Sequence, residues 1–504
     1  MRWSRRACVR SVGLLAALAG IVLAGCGDSA RPSESATRPH ALEWRAPNAD
    51  RANTRRLDGA IDSANVSRLK VAWTVPLLGN YAATPVVVDG VAYTADLMSN
   101  VYAIDLRSGR LRWRREIAQA ITGPNGVSVA DGRVFGVTAS GAFALDADTG
   151  RALWAVSLVR SVGEVVVMTP GYHDGLVYVS TNPTVGGNVG TLWALEARTG
   201  RRAWRWEQSS RSLWGDPKVN GSGGMWHPPA FDDDGALYVS IADPTPWPGT
   251  REQPWGRSRP GPNRWSNSIV KLDARTGRFI WGAQALPHDF YDWDLECPVI
   301  LARAGGRRVA LTAGKMGFVY AFDADSGRLL WKRAVGRHNG HDDDSVRAMH
   351  GDYSNVGYER RMWPGDQGGV ETQMASDGTT VYVPVNNLYA IFHSQTLPET
   401  QNLNEGTGEV VAIDIASGAV EWDRKLPHSV YGGASITNDL VFTTTYDGTV
   451  WALERGTGAV AWRAPLPAGS IAPVSVSGDT VLSAGGIRTG AHQRKEIVAF
   501  RLDP

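Results

Sequence analysis

The hydrophobic and polar positions of this chain recur at intervals of about 40–50 residues. Seven times an apolar run meets a short polar turn ending in Ser-Gly or Thr-Gly, and a second short run then ends in Trp. The copies are AIDLRSGRLRW, ALDADTGRALW, ALEARTGRRAW, KLDARTGRFIW, AFDADSGRLLW, AIDIASGAVEW and ALERGTGAVAW. Their tryptophans are Trp113, Trp154, Trp204, Trp281, Trp331, Trp422 and Trp462. Trp73 ends NVSRLKVAW without the turn, and IVAFRLDP closes the chain with the apolar run but no Trp. Each full copy follows another pair of short runs, such as ATPVVVDG and VAYTAD ahead of VYAID. Alternating β-branched and aromatic residues, punctuated by Asp-Gly and Ser-Gly, predict antiparallel strands. Four strands per copy predict a propeller blade. The expected fold class is therefore all-β: an eight-bladed β-propeller with four-stranded antiparallel blades. The N-terminal strand around Trp73 would complete the last blade and close the ring. Gly makes the tight turn between the outer strands. The Trp of each outer strand covers the flank of a neighbouring blade, which supplies burial that a lone blade lacks.

In such a blade the loops alternate between two faces. The Ser/Thr-Gly turns join third to fourth strands and mark a plain face. Second-to-third and blade-to-blade loops share the other face. The long insertions, roughly Glu207–Pro228, Asp243–Asn267, Gly336–Gly368 and Leu388–Gly408, all fall in the second class. They are rich in Trp, Pro and Gly, as ordered functional loops are.

Composition narrows the possibilities. The 52 basic and 50 acidic residues leave a net charge of +2, without the concentrated basic face of a nucleic-acid binder. MRWSRRACVR followed by SVGLLAALAGIVLA has the form of an export signal, and LAGC ending at Cys26 resembles a bacterial lipobox. The expected organisation is a lipoprotein signal peptide over 1–25, a disordered tether over 26–42 after a lipidated Cys26, and the propeller over 43–504. The protein is then exported and held on the cell membrane by its lipid anchor, facing away from the cytoplasm. Of three cysteines only Cys297 remains in the propeller, so no internal disulfide forms there, and no CxxCH is present to attach a haem.

The candidate chemistry lies on the loop-rich face. PHDFYDWDLE (Pro287 to Glu296) joins Trp281 to the next first strand. GGMWHPP brings Trp226 and His227, GPNRWSNS brings Asn263, TAGKMGF brings Lys315, and GGVETQ brings Glu371. A flat aromatic, a neutral oxygen ligand, a cation and carboxylates on one mouth suit a planar, anionic, electron-accepting cofactor. HNGHDDD (His338 to Asp344) reads as a solvated loop in preference to a metal site. Cys297 reads as a buried, inert thiol.

Over about residues 43–504, with these loop phrases, the chain resembles the eight-bladed pyrroloquinoline-quinone (PQQ) alcohol dehydrogenases. PHDFYDWD looks like the family's active-site loop, which implies Asp292 as catalytic base with Asp294 as a second carboxylate. GGMWHPPAFD implies Trp226 beneath the quinone, RPGPNRWSNSIVKLDARTG implies Asn263 as a calcium ligand, and GKMGFVYAFD implies Lys315 at the quinone carbonyls. The resemblance implies oxidation of an alcohol or sugar hydroxyl with PQQ and Ca²⁺. Electrons would pass to an external acceptor, a cytochrome or a membrane quinone. Three departures stand out. Val185 occupies the place of the calcium-binding Glu, with Asn182, Thr184 and Asn188 as neutral neighbours. Asn125 stands where an Arg is expected among the cofactor-binding residues. The vicinal disulfide of many members is impossible. The alternative is a non-catalytic PQQ-like-repeat propeller, a binding or envelope-assembly scaffold; a third reading is a sensor of a sugar or quinone. The mouth loops favour the enzyme, and Val185 and Asn125 favour the scaffold.

Overall fold

The computed structural model describes residues 42–394 and 396–503. The expected signal peptide, Cys26 and the tether up to residue 41 lie outside the described residues.

The repeated phrase explains its own geometry. Asp146 Oδ1 accepts hydrogen bonds from the Thr149 backbone N–H at 3.0 Å and its hydroxyl at 2.7 Å, closing the turn. The same Asp-to-Ser/Thr clasp recurs at Asp105, Asp273, Asp323 and Asp414. A glycine follows in the left-handed region, as at Gly200 with φ 71°. A Cβ on Gly200 would lie 2.7 Å from the ring of Trp154, in the preceding repeat. The Trp154 indole N–H then donates to Ala197 O at 2.9 Å. Trp73, Trp113, Trp204, Trp281, Trp331 and Trp422 donate in the same way to a carbonyl of the following repeat. Each tryptophan therefore joins two repeats by ring contact and by hydrogen bond.

The described chain forms seven four-stranded sheets, one five-stranded sheet and a small three-stranded sheet, all with antiparallel neighbours. The first consists of Val86–Val88, Val91–Ala95, Val101–Asp105 and Leu111–Arg115. Burial falls from inner to outer strand: Val101–Asp105 is buried but for its last residue, whereas Leu111–Arg115 is exposed except for half-buried Trp113. The last large sheet combines the first described strand with the last three. Ser475–Ser477, Thr480–Gly485 and Glu496–Leu502 are followed outward by Leu69–Pro76, with Trp73 opposite Ala499.

The segment from Trp44 to Ala60 ties the first strands together. Its carbonyls at Trp44, Arg51, Ala52, Thr54 and Arg55 accept from Val87, Phe231, Leu301, Ser376 and Ile436, and Ala60 donates to Gly478 O. Six large sheets are thus bridged by one strap. Arg55, fully buried, donates to Ala434 O, Val474 O and the hydroxyl of Ser435. The insertions are ordered: Asp344–Met349 is a short helix, and Arg361–Met362, Ala390–Ile391 and Glu399–Thr400 make the small sheet. Among the described residues no helix is long and apolar enough to cross a membrane.

Candidate active site at the mouth of the sheets

The acidic loop alternates along its length. Tyr291, Trp293 and Leu295 are buried in one apolar cluster with Phe392 and Met362 of the insertions. Tyr291 donates to Asp344 Oδ2 at 2.7 Å and Trp293 Nε1 to Pro364 O at 3.3 Å. Asp289 braces the turn by accepting from the backbone N–H of Tyr291 and Trp293. Asp292, in the left-handed region with φ 61°, Asp294 and Glu296 occupy the intervening positions and meet Lys315 and the cavity.

The Lys315 ammonium lies 2.8 Å from Asp292 Oδ2 and 2.8 Å from Asp294 Oδ2, with all three side chains buried. Its backbone N–H donates to Asp294 O, which locks the loop to the strand pair Arg307–Gly314 and Phe318–Asp323. The other oxygen of Asp294 accepts from the Asp243 backbone N–H at 2.8 Å. Carboxylate oxygens of Asp243, Asp292 and Asp294 lie within 4.8 Å of one another, and Asp243 Oδ2 is buried without a hydrogen-bond partner. Burial pushes Asp243 far up, reinforced by the charges of Asp294 and Asp292. Burial also pushes Asp292 well up, against the pull of Lys315. Asp294 is buried too, but Lys315 and the Asp243 contact hold it below the ordinary carboxylate range. Lys315 is raised: the surrounding carboxylates outweigh the burial that opposes its charge. An all-oxygen group of this kind suits a hard cation.

Beside this group is a cavity of about 350 Å³, within the range of small-molecule sites, lined by Lys315, Glu296, Glu371, Trp226, His227 and Tyr431 among others. Every one of those residues comes from a second-to-third or a sheet-to-sheet loop, the expected loop classes. Trp226 is half-buried with its indole N–H unpartnered, and its ring edge lies where a Cβ on Gly123 would come within 2.9 Å. Burial holds His227 neutral, with its pKa down to about 3. Glu296 Oε1 and Glu371 Oε1 are buried without partners. Burial raises both carboxyls, Glu371 to about 7.

The structure brings Asp292, Asp294, Lys315, Trp226 and Glu371 together. Asn263 has other partners: its Oδ1 accepts from the buried Arg259 guanidinium at 2.7 Å and its amide donates to Arg259 O; Asp243, at the start of the same insertion, joins the aspartates. Asn125 donates to Asp96 O, and only its neighbours Gly123 and Pro124 line the cavity. Val185 projects into solvent beside Gly163. Asn182, Thr184 and Asn188 spend their side chains on local bonds, to Met225, Gly163 and Ser161. His338 and His341 are each held by a carboxylate of their own segment, Asp342 and Asp344. Cys297 is fully buried. Two site residues escaped the sequence reading. Asp243 had no signal beyond opening an insertion. Glu296 did have one, the period of two in YDWDLE.

Sheets with buried inner strands and tryptophan-clasped outer strands are those of a propeller, and a buried acid–lysine cluster lies at one mouth. Comparison with known proteins identifies the family. Residues 44–336, more than half of the chain, match the family described as glucose/ethanol/alcohol dehydrogenase, beta-propeller domain, and the chain belongs to it. Residues 315–503 also match the outer membrane protein assembly factor BamB family. The chain is 32% identical over 377 residues to a quinohemoprotein alcohol dehydrogenase of Comamonas testosteroni, covering 66% of this chain and 52% of the relative. A putative dehydrogenase XoxF of Paracoccus denitrificans is 26% identical over 509 residues, covering 85% and 84%. The solved quinohemoprotein alcohol dehydrogenase ADHIIG of Pseudomonas putida shares the fold, with a TM-score of 0.80 at 23% identity, covering 92% of this chain and 80% of that one. The chain spans about half the length of the first curated relatives it matches.

Proposed function

We propose that the large sheets are the eight blades of a ring closed by Leu69–Pro76, and that its mouth is the active site of a quinone-dependent alcohol dehydrogenase. The observation that carries this reading is the buried ammonium of Lys315 held between Asp292 and Asp294 on the wall of the cavity. PQQ suits the residues present: Lys315 would polarise its carbonyls, Trp226 offers a ring and an unpartnered indole N–H, and the aspartate group would take a hard cation. Asp243 and Asp294 would hold that cation beside Asp292, with Asp243 restoring the charge lost at Val185. When bound, such a quinone accepts the hydride from the carbinol carbon. Asp292 takes the hydroxyl proton. Burial makes its carboxylate a stronger base than an exposed aspartate, and Lys315 keeps it oriented. The closed apolar flank formed by Tyr291, Trp293 and Leu295 keeps water from the back of the loop.

An alcohol is the substrate class favoured by the family, with a separate cytochrome or quinone as electron acceptor. The basic and apolar leader ending at Cys26 supports a lipid-anchored location outside the cytoplasm. The scaffold reading draws on the BamB match of the C-terminal half. A scaffold has no use for a buried acid–lysine cluster, which costs desolvation and adds little stability. The test is Asp292→Asn in protein loaded with PQQ and calcium. Turnover of a primary alcohol should fall by about 10²-fold or more while the quinone still binds. Equal turnover by variant and wild type would remove Asp292 from the chemistry.

A further inference from the structure

Glu296 and Glu371 are not used by the reaction proposed above. They come from different sheet-to-sheet loops and meet on the wall of the same cavity. Glu296 is 6% exposed; its carboxyl lies against that of Glu371, and the Oε1 atom of each is buried with no donor reaching it. Among the described residues neither forms an ion pair. The cation on that wall, Lys315, is already held at 2.8 Å by Asp292 and by Asp294. Two buried carboxyls thus face each other beside a space sized for a small molecule, a costly arrangement unless a proton or a cation lies between them. A PQQ-type quinone is a polycarboxylate. Placed here it would add negative charge to a wall that has no free positive charge to meet it. Oxygen donors of this kind select a hard cation, which can bridge protein and ligand carboxylates.

We propose that Glu296 and Glu371 form a second cation site in the cavity wall, distinct from the three-aspartate group, for a hard divalent cation such as calcium. An anionic quinone enters together with that cation. The second statement rests on the quinone reading; the first does not.

The test uses the full chain and two probes, calcium alone and then PQQ. Calorimetric calcium titration should show two sites in the wild type. The isosteric double variant Glu296→Gln/Glu371→Gln should lose one of them, and Asp243→Asn/Asp294→Asn the other. Glu371→Gln alone should weaken the same site as the double variant, with circular dichroism confirming that each variant is folded. PQQ affinity, followed by quenching of tryptophan fluorescence, should rise with the second power of free calcium in the wild type. In Glu296→Gln/Glu371→Gln it should rise with the first power, and at low calcium the quinone should bind about tenfold tighter because like-charge repulsion is gone. Unchanged calcium stoichiometry and unchanged calcium dependence in that variant would overturn the site. So would a single calcium throughout with PQQ binding that tightens on acidification, which places a proton between the two carboxyls. Two calcium sites with the expected variant pattern but no PQQ binding would uphold the cation site and sink the quinone reading.

Discussion

Asp289 shows what one buried carboxylate contributes at the residue scale. It accepts two backbone N–H groups that hold the acidic loop in shape. Burial nonetheless raises its pKa to about 6, because those bonds and Arg259 offset only part of the desolvation. The folded state therefore binds a proton that the unfolded chain has released. The corresponding stability is complete below the unfolded value near 3.8 and is lost as the pH rises through about 6. Asp289→Asn should remove that part of the pH dependence, about 3 kcal/mol between those limits. Urea denaturation of variant and wild type across this range measures it; parallel profiles would mean that Asp289 titrates normally. At this scale the sequence was partly legible. The alternation in YDWDLE shows which side chains share a side of the loop. The oxygen that joins Asp292 and Asp294 comes from Asp243, not Asn263, and no local pattern separates them. Arg259, four residues before Asn263, settled it by claiming that amide.

At the scale of the element, the working unit is a tryptophan of one repeat over the turn glycine of the next. Gly200 needs its left-handed φ of 71°, and an added Cβ would press on Trp154. Gly200→Ala should therefore destabilise through both backbone strain and displacement of the ring, by about 1–3 kcal/mol. In a Trp154→Ala background only the strain remains, so the glycine substitution should cost less there. Thermal denaturation of the four proteins closes the cycle, and strictly additive losses would mean that ring and glycine do not interact. This unit was readable from the sequence because it recurs seven times with fixed spacing. The partner carbonyl was not readable, since it belongs to the neighbouring repeat.

On the scale of the whole molecule, the first and the last described strands meet in one sheet, with Leu69–Pro76 paired along its length to Glu496–Leu502. Ending the chain before Glu496 would remove the strand between Thr480–Gly485 and Leu69–Pro76 and leave bare edges. Such a truncation should lose the single unfolding transition and associate in solution, which light scattering and calorimetry would detect. A monomer with the full-length transition would show that this strand is dispensable. The strap from Trp44 to Ala60 acts at the same scale, because its backbone bonds reach six sheets.

The sequence by itself determined the strands, the turns, the repeat and the face on which the long loops fall, because these follow from local periodicity and from residues a few positions apart. It also singled out Asp292, Asp294, Trp226, Lys315 and Glu371. Only the tertiary structure decided which of the mouth residues meet. Asp243, Asp294 and Lys315 come from three separate loops, and Glu296 and Glu371 from two. Their contacts, their desolvation and their charges are properties of the assembled mouth, where atoms far apart in the chain share one low-dielectric space.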